Sequence, residues 1–467
     1  MEELFKVDDY LSRSPSQYAQ TNLHCPKCGR EHKIPFTVVQ AGENLIEKIP
    51  EIIYSHLQIR PEKFGIIYDR HIEDKLDTLF FEPFNELQLS YIRIPLGKKG
   101  LLLEAAVEVG NEAADSVPGD VDFLISVGSG VISDLAKWIA TRISKPFMLV
   151  GTAASMNAYT SITGSMTENN VKTSKWLDPA SAVLLDSELL ASAPLEMTWA
   201  GIGDLLARDV ANADWKLSEF IRGTYFCPVP FEMMGAYEDA FTSNIKALGR
   251  NEPSAMASLG DAILISGYSM TMLDGETSPS SGSEHILSHF FDFQHEVFDL
   301  PKHYHGTQVG LGTIIMSKAW EILRGIEPET LDIDDIEQRR LSQTAVNLDH
   351  RRVFGDYGTV FDVVVSKKRV DDIAFREYIQ KIIQFWDPMW KVIDPYLVGA
   401  DKIRALMEQA GAVTKLSEID RTAEDGIQAM LYGSHYRSRY TILDLFWELG
   451  LFPELAPTIL EQSGVLD

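Results

Sequence analysis

Phe123–Lys137 reads FLISVGSGVISDLAK. Its first part, Phe123–Val127, has the length and apolar composition of a buried strand. The strand runs directly into Gly128-Ser129-Gly130, and Val131–Lys137 continues with amphipathic helical spacing. A glycine turn between strand and helix presents backbone N–H groups and the positive helix end to a phosphate. A simple tight turn is the other reading. Strand, GSG and helix together are more specific than GSG alone and favour phosphate binding.

The same alternation extends outward. From Phe36 on, Ala41–Ile59 has helical spacing, Lys63–Tyr68 (KFGIIY) reads as a short buried strand closed by Asp69-Arg70, Leu87–Ile94 as another strand, and Leu101–Gly110 as a helix. Downstream, the strand Pro146–Val150 ends in Gly151-Thr152-Ala153-Ala154-Ser155, followed by Met156-Asn157-Ala158-Tyr159-Thr160-Ser161. These small hydroxyl residues suit either hydrogen bonding to a cofactor or a polar loop with a helix cap. Val183–Asp186 (VLLD) is the last strand. Alternating strands and helices imply a parallel sheet covered on both faces, with ligands at the carboxyl ends of its strands.

After about Leu190 the β signal fades, and helical spacing runs to the C-terminus. The fold class expected is an α/β domain over 36–190 and an all-α domain over 191–467, preceded by an N-terminal extension, 1–35. Two stretches of the helical part carry chemistry. Gly201-Ile202-Gly203-Asp204 places a carboxylate on a small, apolar helix face, where burying it unpaired is costly; metal ligation or a partner such as Arg208 would offset that cost. Gly282–Gly306 (GSEHILSHFFDFQHEVFDLPKHYHG) holds His285, His289, His295, His303 and His305, out of 11 histidines in the chain. His285 and His289 are spaced i, i+4 and share a helix face. Ser283 is a candidate helix cap, and His305 falls in a loop bounded by Pro301 and Gly306. Two imidazoles with one carboxylate would hold a divalent metal and leave positions open for substrate; ordinary core and surface histidines are the other reading.

The 467 residues exceed one typical core. A net charge of -26, from 42 basic and 68 acidic side chains, argues against nucleic-acid and anionic-membrane partners. A small anionic substrate stays compatible with it, because local charge in a pocket can oppose the global sign. The opening MEELFKVDDYLSRSPSQYAQ lacks the apolar core of a signal peptide, and no run is long and apolar enough for a bilayer span. Three cysteines, Cys25, Cys28 and Cys227, form no disulfide framework. A cytoplasmic protein is expected. His24-Cys25-Pro26-Lys27-Cys28-Gly29-Arg30-Glu31-His32 is half of a zinc-knuckle pattern; with no second C-x-x-C, a turn in a β-hairpin is the preferred reading, and the stretch before it is expected to be loosely attached.

Taken together, GSGVISD (Gly128–Asp134), TAAS followed by Ser161, GIGD (Gly201–Asp204) continuing to ADWKLS (Ala213–Ser218), GSEHILSH (Gly282–His289), YHGTQVGLGT (Tyr304–Thr313) and RYTILDLFWELG (Arg439–Gly450) resemble the sn-glycerol-1-phosphate dehydrogenase family, with the bacterial type closer. That family is a branch of the iron-containing alcohol dehydrogenase and dehydroquinate synthase-like superfamily. The resemblance covers roughly Phe36–Gly450 in the family's order. It implies an N-terminal dinucleotide-binding α/β domain, a helical C-terminal domain and an active site in the cleft between them. The implied metal ligands are Asp204, His285 and His305, for one divalent ion (Zn, Ni or Fe). His289 would contact substrate. NAD or NADP would lie on Gly128, Ser129, Gly130, Val131 and Ile132, on Thr152, Ala153, Ala154 and Ser155 and near Ser161, with Asp69 at the adenosine ribose. Asp69 favours NAD by repelling a 2′-phosphate, whereas Arg70 beside it can accept one.

One departure stands out: Asn157 and Ala158 replace the family's usual Asp-Gly at a substrate-contacting position, which opens the question of the substrate. An amide there still hydrogen-bonds a hydroxyl. The implied activity is metal- and NAD(P)-linked interconversion of sn-glycerol 1-phosphate and dihydroxyacetone phosphate, or of a related polyol phosphate, in phospholipid metabolism by a homo-oligomer. Catalysis would rest on Asp204, His289 and Asn157. A dehydroquinate-synthase-like lyase and a non-catalytic, metal-stabilised binding protein are the alternatives.

Overall fold

The computed structural model describes residues 13–99, 101, 103–168 and 171–467. They fall into two units: Met1–Leu205 with Cys227–Thr277, and Leu206–Phe226 with Ser278–Asp467.

The first unit opens with an antiparallel hairpin, β1 (Thr21–His24) and β2 (Glu31–Ile34). A six-stranded parallel sheet follows, made of β3 (Val38–Gly42), β4 (Phe64–Asp69), β5 (Tyr91–Leu96), β6 (Phe123–Gly128), β7 (Phe147–Gly151) and β10 (Ala182–Asp186), in the order β3-β10-β7-β6-β4-β5. Between the last two lies a second hairpin, β8 (Thr163–Glu168) and β9 (Val171–Trp176). β6, β7 and β10 are buried along their whole length, which is why they read as unbroken apolar runs rather than alternating ones. One core layer, including Phe64, Tyr68, Phe80, Phe81, Phe84, Phe123, Met148 and Leu184, lies against this sheet.

Several expected boundaries move. Ala41 and Gly42 belong to β3, not to a helix. The preceding Val38 and Val39 are β-branched and pair in parallel with Ala182 and Val183. The strand expected over Leu87–Ile94 begins at Tyr91, after a turn with Gln88 at φ 53°, and runs through Pro95. Proline is tolerated there because β5 is the sheet edge. The helix expected from Leu101 starts at Val107. The segment ahead of Cys25, expected to be loose, is packed in its described part: Tyr18 is buried, and the Tyr268 hydroxyl donates to the Pro15 carbonyl at 3.3 Å. Residues 1–12 lie outside the described ones.

The expected break after residue 190 is not where the units part. The helices Val229–Ser243 and Pro253–Thr271 belong with the sheet. A Cβ on Gly260 of the second of these would come within 2.8 Å of Ala41 and 3.6 Å of Leu185, so this helix covers β3 and β10 directly. The second unit is helical among its described residues, with Arg208–Arg222, Ser283–Phe298, His305–Arg324, Ala423–Tyr436 and Ile442–Glu448 the helices that matter for the site. An aromatic cluster helps hold it: Phe354 and Phe361 stack at 4.5 Å, and Phe290 and Phe293 pack edge-on against both.

Phe84 is fully buried and stacks on Phe80 at 5.3 Å while meeting Phe64 and Tyr91 edge-on. Phe84→Ala should cost roughly 3–5 kcal/mol by removing apolar burial and leaving a cavity. Urea denaturation checks this, and a loss below about 1 kcal/mol would mean the sheet's helical cover does not depend on that ring.

Candidate active site

In the first unit, the carboxyl edge of the sheet collects the predicted nucleotide-binding residues. β4 lies between β5 and β6, so the chain reverses its lateral direction after β5. Ligands of open α/β sheets bind at such a reversal point. β4 ends at Asp69, β6 at Gly128 and its neighbour β7 at Gly151, so Asp69, the glycine turn and Thr152–Ser155 emerge from one edge. Asp69 Oδ1 accepts from the His71 N–H at 2.9 Å, fixing the turn after β4. Gly130 starts a helix running to Ile143, with Ser129 as its N-cap and no side-chain cap bond. The N–H groups of Gly130, Val131 and Ile132 are therefore those of an uncapped first turn. The Thr152 N–H donates to the Gly128 carbonyl at 3.1 Å and ties the two loops together. Ser161 is buried and its hydroxyl sits 2.9 Å from Thr163 Oγ1, where it starts β8.

Lys137, fully buried on the same helix, anchors this edge. Its ammonium donates to the carbonyls of Ala158 (2.8 Å) and Thr163 (3.3 Å) and lies 3.6 Å from Asp134. Asp134 in turn accepts from the Ser165 N–H at 3.1 Å. Burial pushes the Lys137 pKa down. A lysine one turn after an aspartate, on the apolar face of an amphipathic helix, is the signal for this anchor in sequence.

Asp204 lies on the helix Leu195–Leu206 and is nearly inaccessible. Its Oδ2 accepts from the Asn157 backbone N–H at 3.0 Å. Gly201, one turn earlier, has no room for a side chain, since a Cβ would run into the Ala154 carbonyl oxygen. The glycine and the carboxylate of GIGD thus share one purpose: they dock this helix onto the Thr152–Asn157 loop and fix where the carboxylate stands. Asn157 is itself buried. Arg208, the proposed hidden partner, pairs with Asp209 at 2.9 Å.

In the second unit, His285, His289 and His305 come together. Their ring centroids lie 5.1 Å (His285–His305), 5.4 Å (His289–His305) and 6.4 Å (His285–His289) apart. His305 is the first residue of the helix His305–Arg324, with Tyr304 as N-cap, and not a loop residue as expected. The remaining two histidines of the stretch serve elsewhere: His295 Nδ1 meets the Leu300 carbonyl at 2.6 Å, and His303 Nε2 lies 3.5 Å from Asp420.

Each of two rings has its Nδ1 engaged, His285 by Glu284 Oε1 at 2.9 Å and His305 by Ser288 Oγ at 3.0 Å. Ser288 Oγ also lies 2.9 Å from the Gln308 amide. Partners on Nδ1 fix the ring orientation, and in a metal site they leave coordination to Nε2. This donor set fits a divalent cation. Asp292 is an unanticipated member, since its carboxylate and the His289 and His305 nitrogens lie within 4.8 Å of one another.

The helix Ser283–Phe298 begins on two buried carboxylates. Gly282, not Ser283, is its N-cap. The Gly282 N–H donates to Glu284 Oε1 at 2.6 Å and the Ser283 N–H to Asp214 Oδ2 at 2.7 Å, while Asp214 Oδ1 accepts from the Ile442 N–H at 2.8 Å. Asp214 thus joins ADWKLS, GSEH and RYTILD at one point. Gly312 completes the arrangement, because a Cβ there would lie 2.6 Å from the Glu284 carbonyl oxygen. The two histidine-bearing helices therefore meet backbone to backbone at this point.

Burial, and then the nearby Glu284 charge, push the Asp214 carboxyl up to about 7. The folded protein then retains a proton that the unfolded chain, with an ordinary Asp value near 3.9, has released. This group's contribution to stability is present at low pH and fades as pH rises from about 4 to about 7. Asp214→Asn cannot titrate, so the stability gap between wild type and variant should narrow from about pH 4 to about pH 7 in urea denaturation. A gap independent of pH would mean Asp214 stays ionised throughout.

A model of the iron-containing alcohol dehydrogenase family matches residues 40–194. A glycerol-1-phosphate dehydrogenase [NAD(P)+] of Sulfurisphaera tokodaii is 30% identical over 280 residues, covering 60% of this chain and 76% of the relative. One from Bacillus licheniformis is 25% identical over 453 residues, covering 94% and 96% respectively. Among solved structures, the glycerol dehydrogenase of Schizosaccharomyces pombe superposes with a TM-score of 0.58 at 14% identity, over 92% of this chain and 90% of the other, a likeness of fold. No helix among the described residues is long and apolar enough to cross a membrane. The parallel sheet, the glycine turn and the paired imidazoles are thus accompanied by sequence likeness along nearly the whole chain, which belongs to the glycerol-1-phosphate dehydrogenase family within the iron-containing alcohol dehydrogenases.

Proposed function

We propose that this enzyme is an NAD(P)-linked, metal-dependent oxidoreductase interconverting sn-glycerol 1-phosphate and dihydroxyacetone phosphate, or a closely related polyol phosphate and its ketone. The observation that carries the reading is the pair His285 and His305, 5.1 Å apart with each Nδ1 engaged. Asp204, His285 and His305 are the ligands we assign to the metal. When bound, a divalent cation supplies Lewis acidity at a carbonyl or alcohol oxygen and the nicotinamide supplies or takes the hydride.

The chain's own residues do the rest. Glu284 and Ser288 hold the two ligand rings in orientation through their Nδ1 atoms. His289, flanked by Asp292, is placed to orient a substrate hydroxyl or pass its proton. Asn157 presents a neutral amide that can donate to or accept from a substrate oxygen. The glycine turn takes the cofactor pyrophosphate on its N–H groups, and Thr152–Ser155 line the same edge. Asp69 takes the ribose hydroxyls and favours NAD, although Arg70 beside it leaves NADP open. Zinc, nickel and iron all suit two imidazoles and a carboxylate.

The decisive assay is a metal-supplemented NADH and NADPH oxidation screen with dihydroxyacetone phosphate against dihydroxyacetone, glyceraldehyde and dehydroquinate-pathway substrates. Net cofactor oxidation with the phosphorylated ketone is expected to exceed that with the others; turnover of a carboxylated phosphate substrate with phosphate release and no net oxidation would overturn the reading in favour of a lyase. Glu284→Gln should weaken metal affinity or activity about 10–100-fold, in the manner of partners that orient ligating histidines. Metal titration of the purified variant checks it, and unchanged affinity with full turnover would remove Glu284 from the site.

A further inference from the structure

All three cysteines of the chain converge on one histidine within the first unit. Cys25 follows β1, Cys28 lies in the hairpin turn, His32 lies on β2, and Cys227 stands just ahead of the helix Val229–Ser243. Cys25 Sγ is 3.9 Å from Cys227 Sγ, Cys28 Sγ is 3.2 Å from His32 Nε2, and Cys227 Sγ is 3.8 Å from the same nitrogen. The four donor atoms all lie within 4.8 Å of one another. Cys25, His32 and Cys227 are fully buried.

These spacings have a specific meaning. Zinc binds sulfur at about 2.3 Å and imidazole nitrogen at about 2.0–2.1 Å, so a tetrahedral centre sets S···S near 3.8 Å and S···N near 3.6 Å. The Sγ···Sγ distance of 3.9 Å is close to the first edge, and the two Sγ···Nε2 distances fall on either side of the second. A disulfide requires about 2.05 Å, far from the 3.9 Å between Cys25 and Cys227. Backbone donors also face two of the sulfurs. The N–H groups of Lys27 and Cys28 are directed at the Cys25 sulfur and that of Val229 at the Cys227 sulfur. The turn that achieves this is tight: the Gly29 N–H donates to the Cys25 carbonyl at 2.9 Å, the Cys25 N–H to the Arg30 carbonyl at 2.8 Å, and Gly29 sits at φ 73°.

We propose that Cys25, Cys28, His32 and Cys227 hold one zinc ion in a closed, tetrahedral, structural site. Three soft sulfurs and one imidazole select zinc over hard cations. Four protein ligands leave no position for substrate, which separates this site in kind from the one assigned to Asp204, His285 and His305. Its work is to fasten the N-terminal hairpin to the Val229–Ser243 helix. The two are joined across 202 residues of sequence, where a cross-link removes the most freedom from the unfolded chain.

The test uses the full-length protein purified under reducing conditions. Elemental analysis should find tightly held zinc that a mercurial thiol reagent releases, one equivalent per chain. Cobalt exchanged into the protein should show thiolate-to-metal charge transfer, which a carboxylate and two imidazoles cannot give. Cys28→Ser, which leaves the Cys25 and Cys227 thiolates, should weaken that band and lower the melting temperature. His32→Cys, which keeps four zinc ligands, should retain the metal even if the serine variant fails to fold. Reduced wild type whose cobalt form has no thiolate charge transfer would overturn the proposal, as would a Cys25–Cys227 disulfide in the native protein by mass spectrometry. Neither outcome bears on catalysis, so this site and the dehydrogenase reading stand or fall separately.

Discussion

Burying an ionisable carboxylate is expensive unless its oxygens are satisfied, and the second unit spends that cost where it gains most. Asp214 takes one backbone N–H from the start of the histidine-bearing helix and another from Ile442, while Glu284 takes the Gly282 N–H and a ring nitrogen of His285. Helix starts ordinarily satisfy their first N–H groups with a neighbouring Ser, Thr or Asp. Here the acceptor at Ser283 comes from a distant helix instead, so the start of the helix and the direction of His285 are set by tertiary structure. Three sequence motifs that look unrelated on the page are one hydrogen-bonded junction.

The first unit solves an equivalent problem with backbone carbonyls. The loop after β7 has to leave a fully buried strand, and its polar groups need partners. Lys137 supplies them from below through Ala158 and Thr163, Tyr159 reaches back to Ala153, and Thr160 bonds to Leu264 on the covering helix. Asp204 receives the Asn157 N–H from the same loop. The residues assigned to cofactor and substrate therefore stand on a loop tied to its own unit by these hydrogen bonds.

Much of this was legible in the chain. The runs FLISV and VLLD announced buried parallel strands, and GSG marked the turn that follows one of them. The spacing of His285 and His289 put both on one face. What stayed hidden depends on partners far away in sequence. Glu284 and Asp292 look like ordinary helix-start and helix-face acids until their neighbours are known. Val38–Gly42 (VVQAG) loses its apolar, β-branched character after Val39 and becomes a strand by pairing with β10. The helices Val229–Ser243 and Pro253–Thr271 are as apolar as any in the second unit, and nothing local says that they cover the sheet. Cys227 shows no motif at all; its relation to Cys25 is visible only in three dimensions.

The pairing of β3 with β10 has a bearing on how the molecule assembles. β3 is an early strand, yet among the described residues its one sheet neighbour is the last strand, and the Leu45 N–H is held by Asp186 across 141 residues. During synthesis the apolar Val38–Val39 ribbon emerges with nothing to zip against. Contacts of such long sequence separation form late and slow the search for the native topology, and an unpaired strand edge is adhesive while it waits. Closing this one sheet margin is then the most long-range step that the sheet requires of the chain.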